Sequence, residues 1–165
     1  GEIKGDENTI IIDPIDGTSN FTHGIPHVWI IIAKMTNKEI TDGLYKGAYS
    51  TLIDCGVFGE NIKKLEVPGS FELIFGAKIL SRKDIDAIIC LGSVIQGETK
   101  HFDYVCQAVS NGIKDLNISL DIPVIFGVLT DNTMDQAINR SGGKHGNKGI
   151  EAAITAIKMA DLNQN

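Results

Sequence analysis

Short β-rich runs alternate with runs of helical period from about residue 28 onward, and this order constrains the fold more than any other feature of the chain. Such an alternation is typical of a parallel sheet whose strands are joined by crossover helices. The predicted strands are Val28 to Ala33, Ile62 to Val67, Asp86 to Gly92 and Pro123 to Thr130. Their near-continuous Val and Ile content is expected of strands that are covered on both faces.

Helices are predicted between and after these strands. One apolar stripe at helical spacing indicates a helix that faces the core. Its residues are Phe102, Val105, Cys106, Val109, Ile113 and Leu116. The other helices are predicted over Thr41 to Cys55, Ser70 to Leu80, Thr133 to Arg140 and Asn147 to Met159. The sequence therefore predicts a single α/β domain.

The composition excludes several classes of protein. A chain of 165 residues that is 42% hydrophobic and 22% charged can bury one sizeable core. No run reaches the roughly 18 apolar residues that cross a bilayer, and a signal-peptide pattern is missing, so we expect a cytoplasmic protein with no membrane partner. The net charge of -6 gives no reason to expect a nucleic-acid partner, because phosphate-backbone binding normally needs a basic surface.

The cysteines predict neither a disulfide nor a metal site. Cys55, Cys90 and Cys106 are odd in number and each lies in an apolar run, which indicates buried, reduced thiols. The sequence contains no CxxC pair for zinc or redox chemistry.

Ligands of open parallel sheets bind beyond the carboxyl ends of the strands, where backbone amides and helix N-termini converge. That rule selects the segments in which site residues are expected. They are Thr36 and Asn37, Gly69 to Glu72, Ser93 to His101, and the residues after the fourth strand.

The stretch from Gly97 to His101 lies between a strand and the amphipathic helix. Backbone amides and the positive end of the helix dipole can hold an anion there. The alternative is that Thr99 only caps the helix and that His101 is a surface residue.

Residues 140 to 149 contain three cations, Arg140, Lys144 and Lys148, together with four glycines. Glycines let a backbone approach a ligand closely, and the cations suit a phosphate or a carboxylate. A solvated basic loop is the alternative interpretation.

Two further residues have a structural and a functional interpretation. Glu72 begins a predicted helix, where a carboxylate either stabilises the helix dipole or binds a ligand in the cleft. Phe126 interrupts an aliphatic strand and is expected by default to lie in the core.

Taken together, these segments resemble one family. The chain contains VPGSFEL at residues 67 to 73, LGSVIQGETKHFDYV at 91 to 105, PVIFGVLT at 123 to 130 and NRSGGKHGNKGIEAA at 139 to 153. Segments of these types, in this order and at these separations, are characteristic of lumazine synthases, and the resemblance extends over about residues 40 to 163. It implies a three-layer, flavodoxin-like fold with a four-stranded parallel sheet flanked by helices, and a transferase of riboflavin biosynthesis.

The resemblance also implies site residues. Gly97, Glu98, Thr99 and Arg140 match the residues that bind the phosphate of 3,4-dihydroxy-2-butanone 4-phosphate. His101 matches the proton-transfer residue, and the adjacent helix N-terminus is expected to keep its imidazole neutral and able to accept a proton.

The same resemblance assigns the second substrate, 5-amino-6-(D-ribitylamino)uracil, to the remaining segments. Glu72 matches the residue that holds the ribityl hydroxyls, and Lys148 matches a lysine near the ribityl chain. The backbone around Phe71, Val94 and Ile95 matches the segments that bind the edge of the pyrimidine. Asn37 aligns with the substrate-binding turn after the first strand.

The family's active site is shared between subunits, because Phe126 matches an aromatic residue supplied by a neighbour to cover the heterocycle. The resemblance thus implies an obligate homo-oligomer, either a pentamer or an icosahedral shell of 60 subunits, with riboflavin synthase as a further partner. It implies no metal and no cofactor, because the reaction proceeds by proximity, proton transfer and phosphate anchoring.

Two positions depart from the family pattern. Gln96 stands where the family has an arginine before the GET segment, and Thr36 stands where an aromatic residue normally stacks on the pyrimidine. Loss of that stacking platform weakens binding by about 1 kcal/mol or more. A catalytically impaired cage or scaffold subunit of the same fold is therefore the second hypothesis.

Residues 5 to 33 resemble a different family, the inositol monophosphatases. Asp13 and Asp16 match two of its metal-binding aspartates, and Thr18 matches a residue beside its nucleophilic water. The other acidic ligands of that family have no counterpart here, which argues against magnesium-dependent phosphatase activity. We expect residues 1 to 27 to form an N-terminal extension, with Thr9 to Ile12 adding a strand at a subunit edge, and residues 28 to 165 to form the lumazine synthase-like domain.

Overall fold

The computed structural model describes residues 24–164, and this part of the chain has the predicted α/β architecture. Its elements, in chain order, are β1 (Val28–Ala33), α1 (Lys38–Asp54), β2 (Ile62–Val67), α2 (Leu73–Leu80), β3 (Ala87–Ile95), α3 (His101–Ser119), β4 (Val124–Asp131), α4 (Met134–Arg140), β5 (Ser141–Gly143), β6 (Gly146–Asn147) and α5 (Lys148–Gln164). A short 3-10 helix covers Gly59–Asn61. The strands of the main sheet lie in the order β2-β1-β3-β4, and all neighbours are parallel.

The predicted strand bounds are confirmed for β1 and β2, differ by one residue at each end for β4, and differ by one residue at the start and three at the end for β3. Strand β3 continues past Gly92 to Ile95, because it pairs with the parallel strand β4 as far as the pair Ile95 and Asp131. Val94 and Ile95 therefore belong to a strand rather than to the loop in which they were expected. The small antiparallel hairpin of β5 and β6 was not predicted.

The helices have the predicted order, but their ends differ. Helix α1 begins at Lys38 rather than Thr41, and α5 continues beyond Met159 to Gln164. Helix α2 begins at Leu73 rather than Ser70, because the preceding residues form a turn in which the Glu72 amide donates to the Gly69 carbonyl at 3.2 Å.

Helices cover the sheet on both sides and divide the core into two parts. On one face, α1 and α5 pack against residues such as Ile30 and Ile89, and on the other, α2 and α3 pack against Ile31 and Ile88. The central strands β1 and β3 are buried almost throughout, as their Val and Ile content predicts.

Strand β2 contradicts the prediction that every strand is covered on both faces. Lys63, Lys64 and Glu66 are exposed, and only Ile62 is fully buried. The physical reason is that β2 is an edge strand against which the helices pack far less than against β1, β3 or β4.

The cysteines differ in burial, so the prediction of three buried thiols is correct only for Cys90. Cys55 and Cys106 are half-buried, and none of the three forms a disulfide. Burial raises the pKa of the Cys90 thiol to about 12. Burial also raises the pKa of Cys106, and the neighbouring Asp103 raises it further.

We expect Cys90 to resist iodoacetamide at neutral pH in the folded protein, because a thiol with that pKa is thiolate in roughly one molecule in 10⁵ at pH 7 and its sulfur is buried. Peptide mass spectrometry after timed labelling measures this. All three cysteines are expected to react after unfolding in denaturant, which serves as the control. Labelling of Cys90 as fast as Cys106 in the native protein would contradict the prediction.

The N-terminal predictions fall outside the described residues. These are the strand at Thr9 to Ile12, the matches at Asp13, Asp16 and Thr18, and most of the extension over residues 1 to 27. The predicted strand from Val28 to Ala33, by contrast, is central strand β1. Over residues 24–164, no helix combines the length and apolar character that crossing a membrane requires.

Candidate active site

Two cavities in the described part of the chain contain predicted site residues. The first, called the strand-end cavity, has a volume of about 560 Å³ and lies beyond β1 and β3, beside the start of α3. It is lined by Thr36, Asn37, Gly69, Ser70, Phe71, Glu72, Ser93, Val94, Ile95, His101 and Val105. The second, called the edge cavity, has a volume of about 810 Å³ and follows the outer edge of β4. It is lined by residues 124–132 together with Gln136, Arg140, Lys148, Glu151, Ala152 and Thr155.

The turn after β1 is tied to the end of β3 by Asn37. Asn37 has a left-handed backbone with φ of 52°, a conformation that asparagine tolerates better than most residues. Its side-chain Nδ2 donates to the Ser93 carbonyl at 3.2 Å and lies 3.4 Å from Ser93 Oγ. Thr36 lines the cavity directly before it. The turn therefore holds two predicted residues against the strand end in a defined position.

The turn before α2 supplies the opposite wall. Phe71 is 54% exposed, and the Glu72 side chain is exposed as well. A Cβ on Gly69 would lie 2.8 Å from Glu72 Oε2, so glycine allows the carboxylate to approach the backbone of the turn. The carboxylate is an acceptor, which suits hydroxyl groups of a ligand.

Ser70 is buried and lines the same cavity; it lies in the segment in which site residues were expected, but no role was predicted for it. Its Oγ has no hydrogen-bond partner among the described residues. A buried hydroxyl without a partner is unfavourable. The Ser70 hydroxyl therefore remains able to donate and accept a hydrogen bond beside the strand-end cavity. No local sequence pattern marks such a residue, because its burial depends on the approach of β3.

His101 is exposed and is the first residue of α3. Its backbone amide donates to Thr99 Oγ1 at 3.4 Å, a long hydrogen bond, but Thr99 precedes the N-cap position and so does not have the capping role considered for it. The N-cap position is Lys100, and its side chain makes no capping bond. The positive end of the helix thus faces the same opening as the imidazole.

Gly97, Glu98 and Thr99 lie beside His101 as an exposed loop and line neither cavity. A Cβ on Gly97 would meet nothing within 4 Å, so this loop is open on its outer side. The start of the loop is fixed to β4, because the Gln96 amide donates to the Asp131 carbonyl at 2.9 Å.

Arg140 and Lys148 lie in the edge cavity and are each close to a carboxylate. Arg140 Nη1 donates to the Gln136 carbonyl at 3.1 Å and lies 3.4 Å from Asp131 Oδ1. Lys148 Nζ contacts both carboxylate oxygens of Glu151, at 2.9 and 2.7 Å. Burial raises the pKa of Asp131, and the Arg140 guanidinium opposes that rise.

Phe126 is 44% exposed, so its default assignment to the core is wrong. It pairs with Cys90 of β3, but β4 is the last strand of the sheet and the ring borders the edge cavity. The ring is therefore accessible along this edge of the sheet.

Most glycines between residues 140 and 149 have structural roles in the described chain. Gly142 and Gly146 have φ of 130° and 79° within the β5 and β6 hairpin. A Cβ on Gly149 would lie 2.0 Å from the Leu44 carbonyl oxygen, so this glycine permits the close packing of α1 against α5. Asn147 Oδ1 accepts from the Gly149 amide at 2.8 Å and thereby caps α5.

The described residues do not bring all the predicted site residues into one cavity. His101, Glu72 and Asn37 line the strand-end cavity, whereas Phe126, Arg140 and Lys148 line the edge cavity. Across residues 24–164, no group of three or more His, Cys, Asp or Glu side chains is arranged to hold a metal ion. The arrangement can bind a polar heterocycle in the first cavity and an anion near its mouth.

Comparison with known proteins adds independent information. The 6,7-dimethyl-8-ribityllumazine synthase family matches residues 27–164, and the inositol monophosphatase family matches residues 1–49. A 6,7-dimethyl-8-ribityllumazine synthase of Flavobacterium johnsoniae is 62% identical over 135 residues, which cover 81% of this chain and 71% of that protein. The enzyme of the same name from Cytophaga hutchinsonii is 52% identical over 146 residues, or 86% of this chain and 92% of the relative.

A third relative bears on the N-terminal segment. The 6,7-dimethyl-8-ribityllumazine synthase of Flavobacterium psychrophilum is 51% identical over 160 residues, covering 96% of this chain and 79% of that protein. Its alignment therefore extends into the residues that precede position 27. The inositol monophosphatase match covers less than a third of the 165 residues. By sequence match and by fold, the chain belongs to the 6,7-dimethyl-8-ribityllumazine synthase family.

Proposed function

We propose that the chain is a transferase that condenses 5-amino-6-(D-ribitylamino)uracil with 3,4-dihydroxy-2-butanone 4-phosphate to form 6,7-dimethyl-8-ribityllumazine, a step of riboflavin biosynthesis. The observation that carries this proposal is the strand-end cavity, in which His101, Glu72 and Asn37 surround one space at a helix N-terminus. The family match over residues 27–164 supports it.

The pyrimidine substrate binds in the strand-end cavity. The backbone around Phe71, Val94 and Ile95 reads the polar edge of the ring, and Asn37 adds a side-chain amide. The Glu72 carboxylate accepts hydrogen bonds from the ribityl hydroxyls, since it is exposed and close to the backbone turn at Gly69. These groups hold the reacting amine at the mouth of the cavity.

The phosphate of the second substrate binds at the Gly97, Glu98 and Thr99 loop, where the N-terminus of α3 favours negative charge. Because Arg140, Lys148 and Phe126 of the same chain lie in the edge cavity, we infer that a neighbouring protomer supplies these residues. Phe126 then covers the heterocycle, and Arg140 provides a guanidinium for the phosphate.

His101 transfers protons in a reaction that needs no redox step. The substrate amine condenses with the ketone and releases water, phosphate leaves by elimination, and ring closure releases a second water. Each step moves a proton to or from nitrogen, carbon or oxygen, and an imidazole at the cavity mouth can accept and return it.

An oligomer follows from the shared site. Apolar side chains that are exposed in the described chain, including Phe75 at 68%, Ile118 at 76% and Phe126 at 44%, are available for contacts between copies of the chain. We propose a pentamer, alone or as the unit of a 60-subunit shell, with riboflavin synthase as a further partner. Residues 1 to 27 are proposed as an extension of the domain formed by residues 28 to 165.

The decisive experiment is incubation of the purified protein with both substrates, with the lumazine product followed by absorbance and identified by mass spectrometry. We expect product and free phosphate in equal amounts. Reactions that lack one substrate serve as controls. Absence of product from an assembled, folded oligomer would refute the enzymatic proposal and favour a scaffold role.

The scaffold alternative rests on Thr36, which lines the strand-end cavity at the position of the family's aromatic platform. We expect Thr36→Phe to lower KM for the pyrimidine substrate about fivefold, because stacking on an aromatic ring contributes about 1 kcal/mol. Steady-state kinetics at saturating butanone phosphate measure this change. Thr36→Leu adds bulk without an aromatic face and is the matched control. Equal effects of Phe and Leu would show that stacking is not the missing contribution.

A further inference from the structure

Asp131 is a buried carboxylate at the end of an apolar strand, and its role is not explained by the residues assigned so far. It is the last residue of β4, and its side chain is 7% exposed. Oδ1 lies 3.4 Å from Arg140 Nη1, whereas Oδ2 is buried and has no hydrogen-bond partner in residues 24–164. Burial removes the hydration of a carboxylate, so a carboxylate in this position is unfavourable for folding unless its charge is paired or hydrogen-bonded.

Arg140 is held on one side only. Its Nη1 lies between the Asp131 carboxylate and the Gln136 carbonyl, at 3.4 and 3.1 Å. The guanidinium is a planar fork of five N–H donors, and its other nitrogens have no hydrogen-bond partner among the described residues. Because the plane is rigid, restraint at Nη1 determines where the opposite edge of the fork points. Arg140 borders the edge cavity with Phe126.

The same residue also fixes the phosphate loop. The carbonyl of Asp131 accepts the Gln96 amide at 2.9 Å, directly before Gly97. Asp131 therefore restrains the loop of its own chain through its backbone, and through its side chain it restrains Arg140, which by the proposed function serves the site of a neighbouring protomer. The other cation of the edge cavity, Lys148, has its own carboxylate partner in Glu151, so the Asp131 carboxylate acts on Arg140 alone.

We propose that Asp131 is a positioning residue, whose carboxylate holds Nη1 of Arg140 against the end of β4 so that the remaining edge of the guanidinium meets the substrate phosphate. This inference rests on the proposed function, because it takes Arg140 as a phosphate anchor. A role in stability alone does not fit, because the pair leaves one carboxylate oxygen buried without a partner.

The test is a double-mutant cycle on the assembled enzyme with Asp131→Ala, Arg140→Ala and the double variant. We expect Asp131→Ala to raise KM for the butanone phosphate about tenfold and to leave KM for the pyrimidine substrate within about twofold, because only the anchor loses its orientation. Asp131→Asn keeps an acceptor at the Oδ1 position and is expected to keep both KM values within about threefold of wild type. In the Arg140→Ala background, loss of Asp131 is expected to change KM by less than about twofold.

Each other outcome overturns the inference in a distinguishable way. An unchanged KM in Asp131→Ala, with a raised KM in Arg140→Ala, removes the positioning role and leaves the phosphate anchor in place. Additive effects in the double variant, or equal rises for both substrates, show that Asp131 acts independently of Arg140. An Arg140→Ala enzyme with unchanged phosphate KM removes both the anchor and the inference. If Asp131→Ala fails to assemble, Asp131→Val, which suits a buried strand position, is measured instead.

Discussion

Replacement of His101 by alanine is expected to lower kcat about 100-fold, with both KM values within about threefold of wild type, because a positioned acid–base group contributes at least this factor to proton transfer. His101 lines the strand-end cavity and is the first residue of α3. The side chain is exposed, so its removal is expected to leave the fold intact.

Steady-state kinetics with both substrates, combined with gel filtration to verify the assembly, measure this effect. His145→Ala is the matched control. His145 is also exposed, but it lies in the turn between β5 and β6 and lines neither cavity. A kcat of His101→Ala within threefold of that control would exclude His101 as the proton-transfer residue.

Co-assembly of two impaired variants is expected to restore activity. In a 1:1 mixture of His101→Ala and Arg140→Ala chains, about a quarter of the interfaces combine an intact strand-end cavity with an intact edge cavity, if assembly is random and the contact is head-to-tail. Activity is therefore expected to rise to about a quarter of the wild-type value, far above either parent. The reason is that the described chain places His101 and Arg140 in separate cavities.

The experiment uses co-expressed chains that carry different tags, so that only mixed oligomers are purified. A pair of variants within one cavity, His101→Ala with Glu72→Ala, is the control, because every strand-end cavity then lacks one residue. No recovery is expected from that pair. Recovery in neither mixture would mean that each chain builds its own site.

The fold was predictable because its signals are local. The bounds of β1 follow from its apolar run, and the apolar stripe of α3 predicts the face that contacts the core. The predicted strand ends and burial were wrong where contacts with other elements of the fold determine them. Strand β3 extends to Ile95 because β4 pairs with it, and β2 is exposed because it is an edge strand.

The candidate site was predictable in its residue types, whereas its distribution in space was not. Sequence segments and family resemblance select His101, Glu72, Phe126 and Arg140 and assign Phe126 to a neighbouring subunit, but they did not separate Arg140 from His101, which line different cavities. Gly149 illustrates the same limit, since it serves the packing of α5 against α1 rather than a ligand.

The order of elements, the nature of the chemistry-bearing side chains and the family are determined by the sequence alone. The strand order β2-β1-β3-β4 decides the rest, because it leaves β4 at an open edge. Phe126 is exposed along that edge, Arg140 and His101 line separate cavities, and Asp131 is buried beside Arg140. These relations depend on contacts between residues far apart in the chain, and local patterns of hydrophobicity cannot encode them.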